Sequence, residues 1–261
     1  MVTGFHDRGW VRFPVDPATL AWVQSALPAA RTSVTDPAHA QWLDCEGTWF
    51  IGVDALPNDP SGCVDGQTPL AGAAIDFIEQ EYGVQPLHRG QVSVIYPGYP
   101  KARRGENEAA LRYRRNRDAA HVDGLKPSGP DRRRHVDEPH SWILGLPLTE
   151  ASPTAAPMVV WEGSHTIMAD AFGTVLAGHD PALMHQVDVT EAYQSARREV
   201  FETCPRIEVF AQPGEAYVLH RHCLHGVAPW GDDATAGPDG RMIAYFRPDM
   251  QSGVAGWIEF P

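Results

Sequence analysis

The glycine and proline content restricts the fold of this chain more than any other feature. The 261 residues include 24 Gly and 23 Pro, and both residue types interrupt helices and favour turns. This composition excludes a helical bundle and suits short strands joined by turns. The predicted strands are the apolar segments 90–96, 141–148, 158–161, 207–210, 216–220, 242–246 and 257–260.

Two helices are predicted before this strand-rich part. Asp16 and Pro17 form a helix start, and Thr68 and Pro69 form a second start for a helix that ends at Gly83. Further helical stretches are predicted at 167–176 and 191–202. We therefore predict one domain over 1–261, with a helical support region at 1–89 and an antiparallel β core at 90–250.

Charge is distributed unevenly. The whole chain carries a formal net charge of −12, which disfavours non-specific binding to nucleic acid. Residues 101–134 nevertheless hold eleven Lys and Arg against five acidic residues. Such a segment is either a solvated loop or a rim that attracts anions, and the sequence leaves both interpretations open.

The compartment is predicted from the cysteines and the N-terminus. No C-x-x-C pair occurs, so the cysteines are interpreted as reduced thiols of a cytoplasmic protein. They are Cys45, Cys63, Cys204 and Cys223. The first residues show no signal peptide, and no apolar run of about 18 residues predicts a membrane span.

Two copies of a His-x-Asp motif could supply metal ligands. His121 and Asp123 form the first copy, and His135 and Asp137 form the second. Residues i and i+2 of a strand share one face, so an imidazole and a carboxylate at this spacing can bind the same ion. The first copy is favoured because the strand that starts near Ser141 follows Asp137 by only four positions, which is too tight for a turn and a connection.

A third ligand is expected from the cluster His220, His222 and His225. Taken alone, three histidines in six residues suggest a zinc hydrolase, which stays an alternative. Two facts weigh against it: Leu224 stands where that class has an acid, and only 36 residues follow His225. Two imidazoles and one carboxylate, here from His121, Asp123 and His225, are instead the ligand set of non-haem Fe(II) oxygenases.

In this order the motifs resemble the phytanoyl-CoA-hydroxylase type of Fe(II)/2-oxoglutarate oxygenases. The resemblance rests on His121-x-Asp123, the Gly-Ser-His turn that ends at His165, His225 and the downstream Arg241. It implies a mainly β fold with a double-stranded β-helix (jelly-roll) core and helices packed on one side. It also implies Fe(II) on the two histidines and the aspartate, and 2-oxoglutarate on the arginine. The implied reaction uses dioxygen to hydroxylate a small molecule and releases succinate and CO₂.

Further site residues follow from period-two spacing. If one strand runs into His121, then Tyr113, Arg115 and Arg117 share its face and could contact an anionic substrate. Arg247 rivals Arg241 on the last strand and is interpreted as a surface ion pair.

Two roles stay open at this point. His220 and His222 are interpreted as structural groups or as groups that orient a ligand. A catalytically silent β-helix binding protein is the third alternative for the chain as a whole.

Overall fold

The computed structural model describes residues 4–259. The α-helices are α1 (Phe5–Arg8), α2 (Pro17–Thr35), α3 (Ala73–Tyr82), α4 (Glu108–Asn116), α5 (Ser164–Leu176), α6 (Thr190–Thr203) and α7 (Gly253–Ile258). The strands are β1 (Trp10–Phe13), β2 (Leu43–Asp44), β3 (Trp49–Phe50), β4 (Gln91–Ile95), β5 (Leu125–Ser128), β6 (Arg133–Val136), β7 (Trp142–Pro147), β8 (Met158–Trp161), β9 (Arg206–Val209), β10 (Ala216–His220), β11 (His225–Val227) and β12 (Arg241–Phe246). Short 3₁₀ helices span Pro37–Trp42, Cys45–Gly47 and Pro181–Gln186.

The strands form three antiparallel sheets, of which two face each other and the third is the β5–β6 hairpin. The large sheet has the order β1-β10-β7-β12-β4-β3-β2, and the small sheet has the order β11-β8-β9. His121 joins the small sheet through an antiparallel bridge to His225. Apart from the β5–β6 hairpin, the strands from β4 onward divide between these two sheets: β4, β7, β10 and β12 lie in the large sheet, and β8, β9 and β11 lie in the small one. This arrangement makes the core a double-stranded β-helix. The expected fold is confirmed.

Apolar side chains fill the space between the sheets. They are Ile143, Met158, Val160, Val209, Tyr217, Leu219, Ile243 and Tyr245. On the large sheet, Tyr245 pairs with Gly145, which pairs in turn with Tyr217. Because Gly145 has no side chain, the two tyrosine rings meet above it, and their hydroxyls are 2.8 Å apart. The two tyrosine hydroxyls thus form a buried polar pair among these apolar side chains.

Helices cover both sheets rather than one side only. On the large sheet, α2 and α3 supply Trp22 and Phe77 to the cluster on its outer face. On the small sheet, α5, α6 and α7 pack against β8, where Trp161 meets Phe201 edge to face at 5.3 Å between ring centres. The expectation of helices on one side is corrected accordingly, because the outer apolar face of the small sheet also needs cover.

The N-terminal helices show where local signals hold. Asp16 caps α2 by accepting from Ala18 and Thr19, as predicted. The second helix begins at Ala73 and not at Pro69, because Asp65 accepts from the backbone N–H of Gln67 and Thr68 and holds a turn there. Strands β1, β2 and β3 come from the predicted support region and extend the large sheet.

The predicted strands agree with the structure except at the C-terminus. Six of the seven are present, with ends within one residue of the prediction. The strand predicted at 257–260 is wrong for its described part: residues Gly253–Ile258 form α7, and position 260 lies outside the described residues. Val254 and Trp257 lie one helical turn apart and are both buried in the cluster under α5. Within 4–259, no helix is long and apolar enough to cross a bilayer.

Candidate metal centre

Backbone pairing brings the two distant histidines together. His121 donates its N–H to the carbonyl of His225 at 2.8 Å and accepts in return at 3.0 Å. Just before this bridge, Asp118 and Ala119 both adopt left-handed φ values, 53° and 54°. Opposite them a Cβ on Gly226 would overlap the carbonyl oxygen of Asp118. A glycine is therefore required where the two segments approach most closely.

The side chains of His121, Asp123 and His225 converge on one point. The Oδ1 atom of Asp123 lies 3.1 Å from Nε2 of His121 and 3.7 Å from Nε2 of His225. One ligand atom from each residue falls within 4.8 Å of the others. This set is the only group of three or more His, Cys, Asp or Glu side chains in the described chain that could hold a metal. Its nitrogen and oxygen donors suit a divalent first-row ion such as Fe(II).

Both imidazoles are oriented by backbone carbonyls. Nδ1 of His121 faces the carbonyl of Ala119 at 3.0 Å, and Nδ1 of His225 faces the carbonyl of Cys223 at 2.9 Å. A carbonyl only accepts, so each Nδ1 carries the proton. The Nε2 lone pairs are therefore free to face the same point, as metal-binding histidines require.

The protonation states also favour metal binding. Burial lowers the pKa of His225 to about 4, so its imidazole is neutral near pH 7. Burial alone would raise the pKa of Asp123, but Arg247 and the two neighbouring imidazoles outweigh it and hold that pKa well below the ordinary value. The site thus presents a charged carboxylate beside a neutral imidazole.

The other candidate histidines lie elsewhere. His135 is on the β5–β6 hairpin, where its Nδ1 faces Ser128 at 3.3 Å. The ring of His222 packs 4.2 Å from Trp257, on the side of the small sheet that the helices cover. The ring of His220 packs 5.1 Å from His165. The fold therefore separates these residues from His225, and the proposed zinc cluster is not assembled.

Two cavities meet at the convergent side chains. The inner cavity lies within the barrel and has a volume of about 220 Å³. The outer cavity opens toward solvent and has a volume of about 640 Å³. Val53, His121, Asp123 and Arg247 line both. A metal at this point would be accessible from the barrel interior and from outside.

Arg247 belongs to this centre, which the sequence interpretation did not anticipate. It was expected to form a surface ion pair, but its Nη1 lies 3.1 Å from Oδ2 of Asp123, and its side chain is only 19 % exposed. A signal was available, because Arg247 lies six residues after Arg241 and so shares its face of β12. What the sequence could not supply was the partner, Asp123, which lies in a turn more than a hundred residues earlier in the chain.

Arg241 lies deeper in the barrel. It is 6 % exposed, and its Nη1 has no hydrogen-bond partner among the described residues. It borders a small third cavity together with Tyr217, whereas Tyr245 lines the inner cavity. The hydrogen-bonded tyrosines therefore stand between Arg241 and the metal ligands. A buried guanidinium without an anionic partner is costly, which is the property expected of a group that receives a carboxylate.

Two of the three predicted substrate contacts, Tyr113 and Arg115, lie on a helix, and the third, Arg117, caps its C-terminus. Residues 108–116 form α4, so the assumed strand running into His121 is wrong. Tyr113 donates its hydroxyl to the carbonyl of Ala120, Arg115 is exposed, and Arg117 stacks over Phe201 at 4.7 Å. None of the three lines either cavity, so the geometric reason for assigning them to substrate is removed.

The basic segment does not form one rim. Arg103 pairs with Asp44, and the buried Arg114 pairs with Glu106. Of the eleven cations, only Lys126 and Arg134 line the outer cavity. Lys126 is itself paired with Glu138, which lines the same cavity. The positive charge near the centre is therefore smaller than the sequence suggested.

Comparisons with known proteins find similarity to solved structures at low sequence identity. No protein-family model and no curated protein sequence matches the chain. AviO1 from Streptomyces viridochromogenes Tue57 is 14 % identical, with 96 % of this chain and 94 % of that chain covered and a TM-score of 0.45. The non-heme alpha-ketoglutarate-dependent epimerase SnoN of nogalamycin biosynthesis is 12 % identical, with coverage of 100 % and 88 % and a TM-score of 0.46.

A third solved structure is EctD from S. alaskensis with 2-oxoglutarate and 5-hydroxyectoine. It is 14 % identical, with 97 % of this chain and 76 % of that chain covered and a TM-score of 0.45. All three identities are below 15 % and all three TM-scores are below 0.5. Function is therefore inferred from the side chains of this chain itself.

Proposed function

We propose that this chain is a non-haem Fe(II)- and 2-oxoglutarate-dependent oxygenase that acts on a small molecule. The observation that carries the proposal is the convergence of His121, Asp123 and His225, whose ligand atoms lie within 4.8 Å of one another. Two imidazoles and one carboxylate occupy one face of an ion and leave its other positions open. The order of the motifs resembles the phytanoyl-CoA-hydroxylase type, and we assign the chain to that type.

Arg241 is the residue we assign to the distal carboxylate of 2-oxoglutarate. It is the buried guanidinium whose Nη1 has no partner in the described chain. The hydroxyls of Tyr217 and Tyr245 lie on the way from the metal ligands and can donate to the same carboxylate. Arginine is suited to this role because its planar fork matches a carboxylate.

When bound, Fe(II) and 2-oxoglutarate would supply the oxidising chemistry: one atom of O₂ enters succinate as CO₂ leaves, and the other enters a substrate C–H bond as a hydroxyl. The protein's own side chains bind the reactants and limit solvent access. Ile143 and Met158 supply apolar walls to the inner cavity. Such walls exclude water from reactive species.

The outer cavity is the proposed substrate site, because it borders His121 and Asp123 and opens to solvent. An anionic substrate stays part of the proposal, now through Lys126 and Arg134 rather than through α4. Charge reversal of either residue should raise KM for such a substrate, and reversal of the exposed Arg115 should leave it unchanged. We also propose that the protein works in the cytoplasm, since all four cysteines are free thiols.

The test is an anaerobic titration of metal-free protein with Fe(II) and 2-oxoglutarate. The expected result is a weak visible charge-transfer band, followed by succinate release once O₂ is admitted. Asp123→Ala should abolish both. Asp137→Ala, in the second His-x-Asp motif, is the matched control and should retain both, because that motif lies apart from His225. Absence of both the band and succinate in the unmodified protein would refute the proposal.

The same experiment addresses the two alternatives. A zinc hydrolase would keep its activity with Zn(II) and show no charge-transfer band. Metal analysis must follow strict removal of zinc, because zinc binds such sites more tightly than Fe(II) does. A silent binding protein would release no succinate under any condition. The separation of His220 and His222 from His225 favours the oxygenase.

A further inference from the structure

The two carboxylate oxygens of Asp123 have different partners. Oδ1 faces the Nε2 atoms of His121 and His225, at 3.1 Å and 3.7 Å. Oδ2 faces the Nη1 atom of Arg247 at 3.1 Å. In the described chain, Arg247 is the only lysine or arginine that pairs with this carboxylate. Oδ2 is thereby occupied by the guanidinium, and Oδ1 faces the proposed metal position.

Arg247 is itself held in place. Its backbone N–H donates to Nε2 of His88 at 2.9 Å. Because that nitrogen accepts, Nδ1 of His88 carries the ring proton and can donate to the carbonyl of Arg89, which it faces. This chain of bonds fixes the end of β12, from which the guanidinium extends toward Asp123.

We infer that Arg247 is a positioning residue that makes Asp123 a ligand through one oxygen only. The inference rests on the proposed function, since it assumes that a metal binds at this centre. A free carboxylate can bind an ion through one oxygen or through both. The guanidinium on Oδ2 favours binding of the ion through Oδ1 alone. It also compensates the charge of a carboxylate that is largely buried. More positions around the ion then stay open for a cosubstrate and O₂.

The test is the binding of Co(II) to metal-free protein, followed by the visible spectrum of the bound ion. Arg247→Gln should weaken Co(II) binding by about 10-fold to 100-fold, the usual effect of losing a group that orients a ligand, and should change the spectrum. The Co(II) affinity of Arg247→Lys should fall between those of the unmodified protein and Arg247→Gln, because an ammonium can still pair with Oδ2 of Asp123. Arg89→Gln is the control. It removes an exposed guanidinium, one residue after His88, whose hydrogen bonds in the described chain go to the carbonyls of Leu56 and Ala55.

The results separate the two hypotheses. If the unmodified protein fails to bind Co(II), the proposed function fails. If it binds but Arg247→Gln has the same affinity and spectrum, or Arg247→Lys binds no better than Arg247→Gln, the inference about Arg247 is wrong.

A second measurement covers the case in which Arg247→Gln does not fold. Adding Asp123→Asn removes the carboxylate that the substitution leaves unpaired. Recovery of folding in this double variant supports the pairing. Continued failure to fold overturns the inference.

Discussion

Replacing Gly145 by Ala tests the tyrosine pair inside the barrel. An added Cβ would lie 2.6 Å from the hydroxyl oxygen of Tyr217 and closer still to its ring carbons. The ring cannot move far, because Tyr217 is 1 % exposed and its hydroxyl lies 2.8 Å from that of Tyr245. The substitution should therefore displace the Tyr217 ring and break the hydrogen bond between the two hydroxyls.

The size of the effect follows from three contributions. Overpacking a core costs about 1–3 kcal/mol, and loss of one buried hydrogen bond costs about 1 kcal/mol. Replacing a glycine within a strand returns roughly 0.5–1 kcal/mol. Gly145→Ala should therefore reduce the free energy of unfolding by about 1–3 kcal/mol, and it should weaken binding of 2-oxoglutarate if the tyrosines contact its distal carboxylate.

Urea unfolding of the metal-free protein measures the first effect. Gly173→Ala is the matched control, because a Cβ at this position in α5 meets nothing within 4 Å. It should stabilise the protein slightly. In a Tyr217→Val background, Gly145→Ala should cost much less, since the ring is gone. An unchanged urea midpoint for Gly145→Ala in the unmodified background would refute the predicted clash.

Three further substitutions test the surroundings of the site. Gly226→Ala should reduce Co(II) affinity at least about tenfold, because the added Cβ would overlap the carbonyl of Asp118 and push the segments of His121 and His225 apart. A Co(II) affinity equal to that of the unmodified protein, measured by calorimetry, would contradict this prediction. Arg206→Ala removes both hydrogen bonds to the buried Asp118 carboxylate, at 2.8 and 2.9 Å, and should cost about 1–3 kcal/mol in urea unfolding, since Arg206 is partly exposed. Burial holds the pKa of His222 well below 6.5. The unfolded chain therefore takes up a proton near pH 6.5 that the folded chain does not, and stability should fall as the pH drops through and below this value. His222→Leu should lessen that loss between pH 7 and 5, and equal slopes for both proteins would count against the assignment.

The sequence predicted those parts of the molecule that depend on local spacing. Six of the twelve strands were predicted from short apolar runs between turns. His121 and Asp123 were predicted to share a strand face, but His121 forms an isolated bridge and Asp123 lies in a turn. The helix α4 was missed because its nine residues contain only a short apolar run. Its start depends on Asn107, whose side chain accepts a hydrogen bond from the backbone N–H of Ala110. The interpretation of Tyr113, Arg115 and Arg117 as one face of a strand did not take that helix cap into account.

The pairing of charges could not be predicted in the same way. Arg247 and Asp123 are far apart in sequence and meet only in the folded chain, where Arg247 follows the end of β12 and Asp123 lies in the turn before β5. Arg206 and Asp118 are likewise far apart in sequence and pair only in the folded chain. The sequence around a charged residue does not indicate which residue it pairs with. The basic segment was therefore considered as one surface, whereas its side chains pair with several different residues.

The bridge between His121 and His225 joins positions about a hundred residues apart. A contact of this range closes late, after the intervening strands have found their places. No local fragment of the chain carries all three ligands, so a nascent polypeptide has nothing with which to capture an ion tightly. A metal bound by these three side chains should therefore be acquired after folding, through the solvent-facing opening, and the choice of metal would be governed by the supply at that moment.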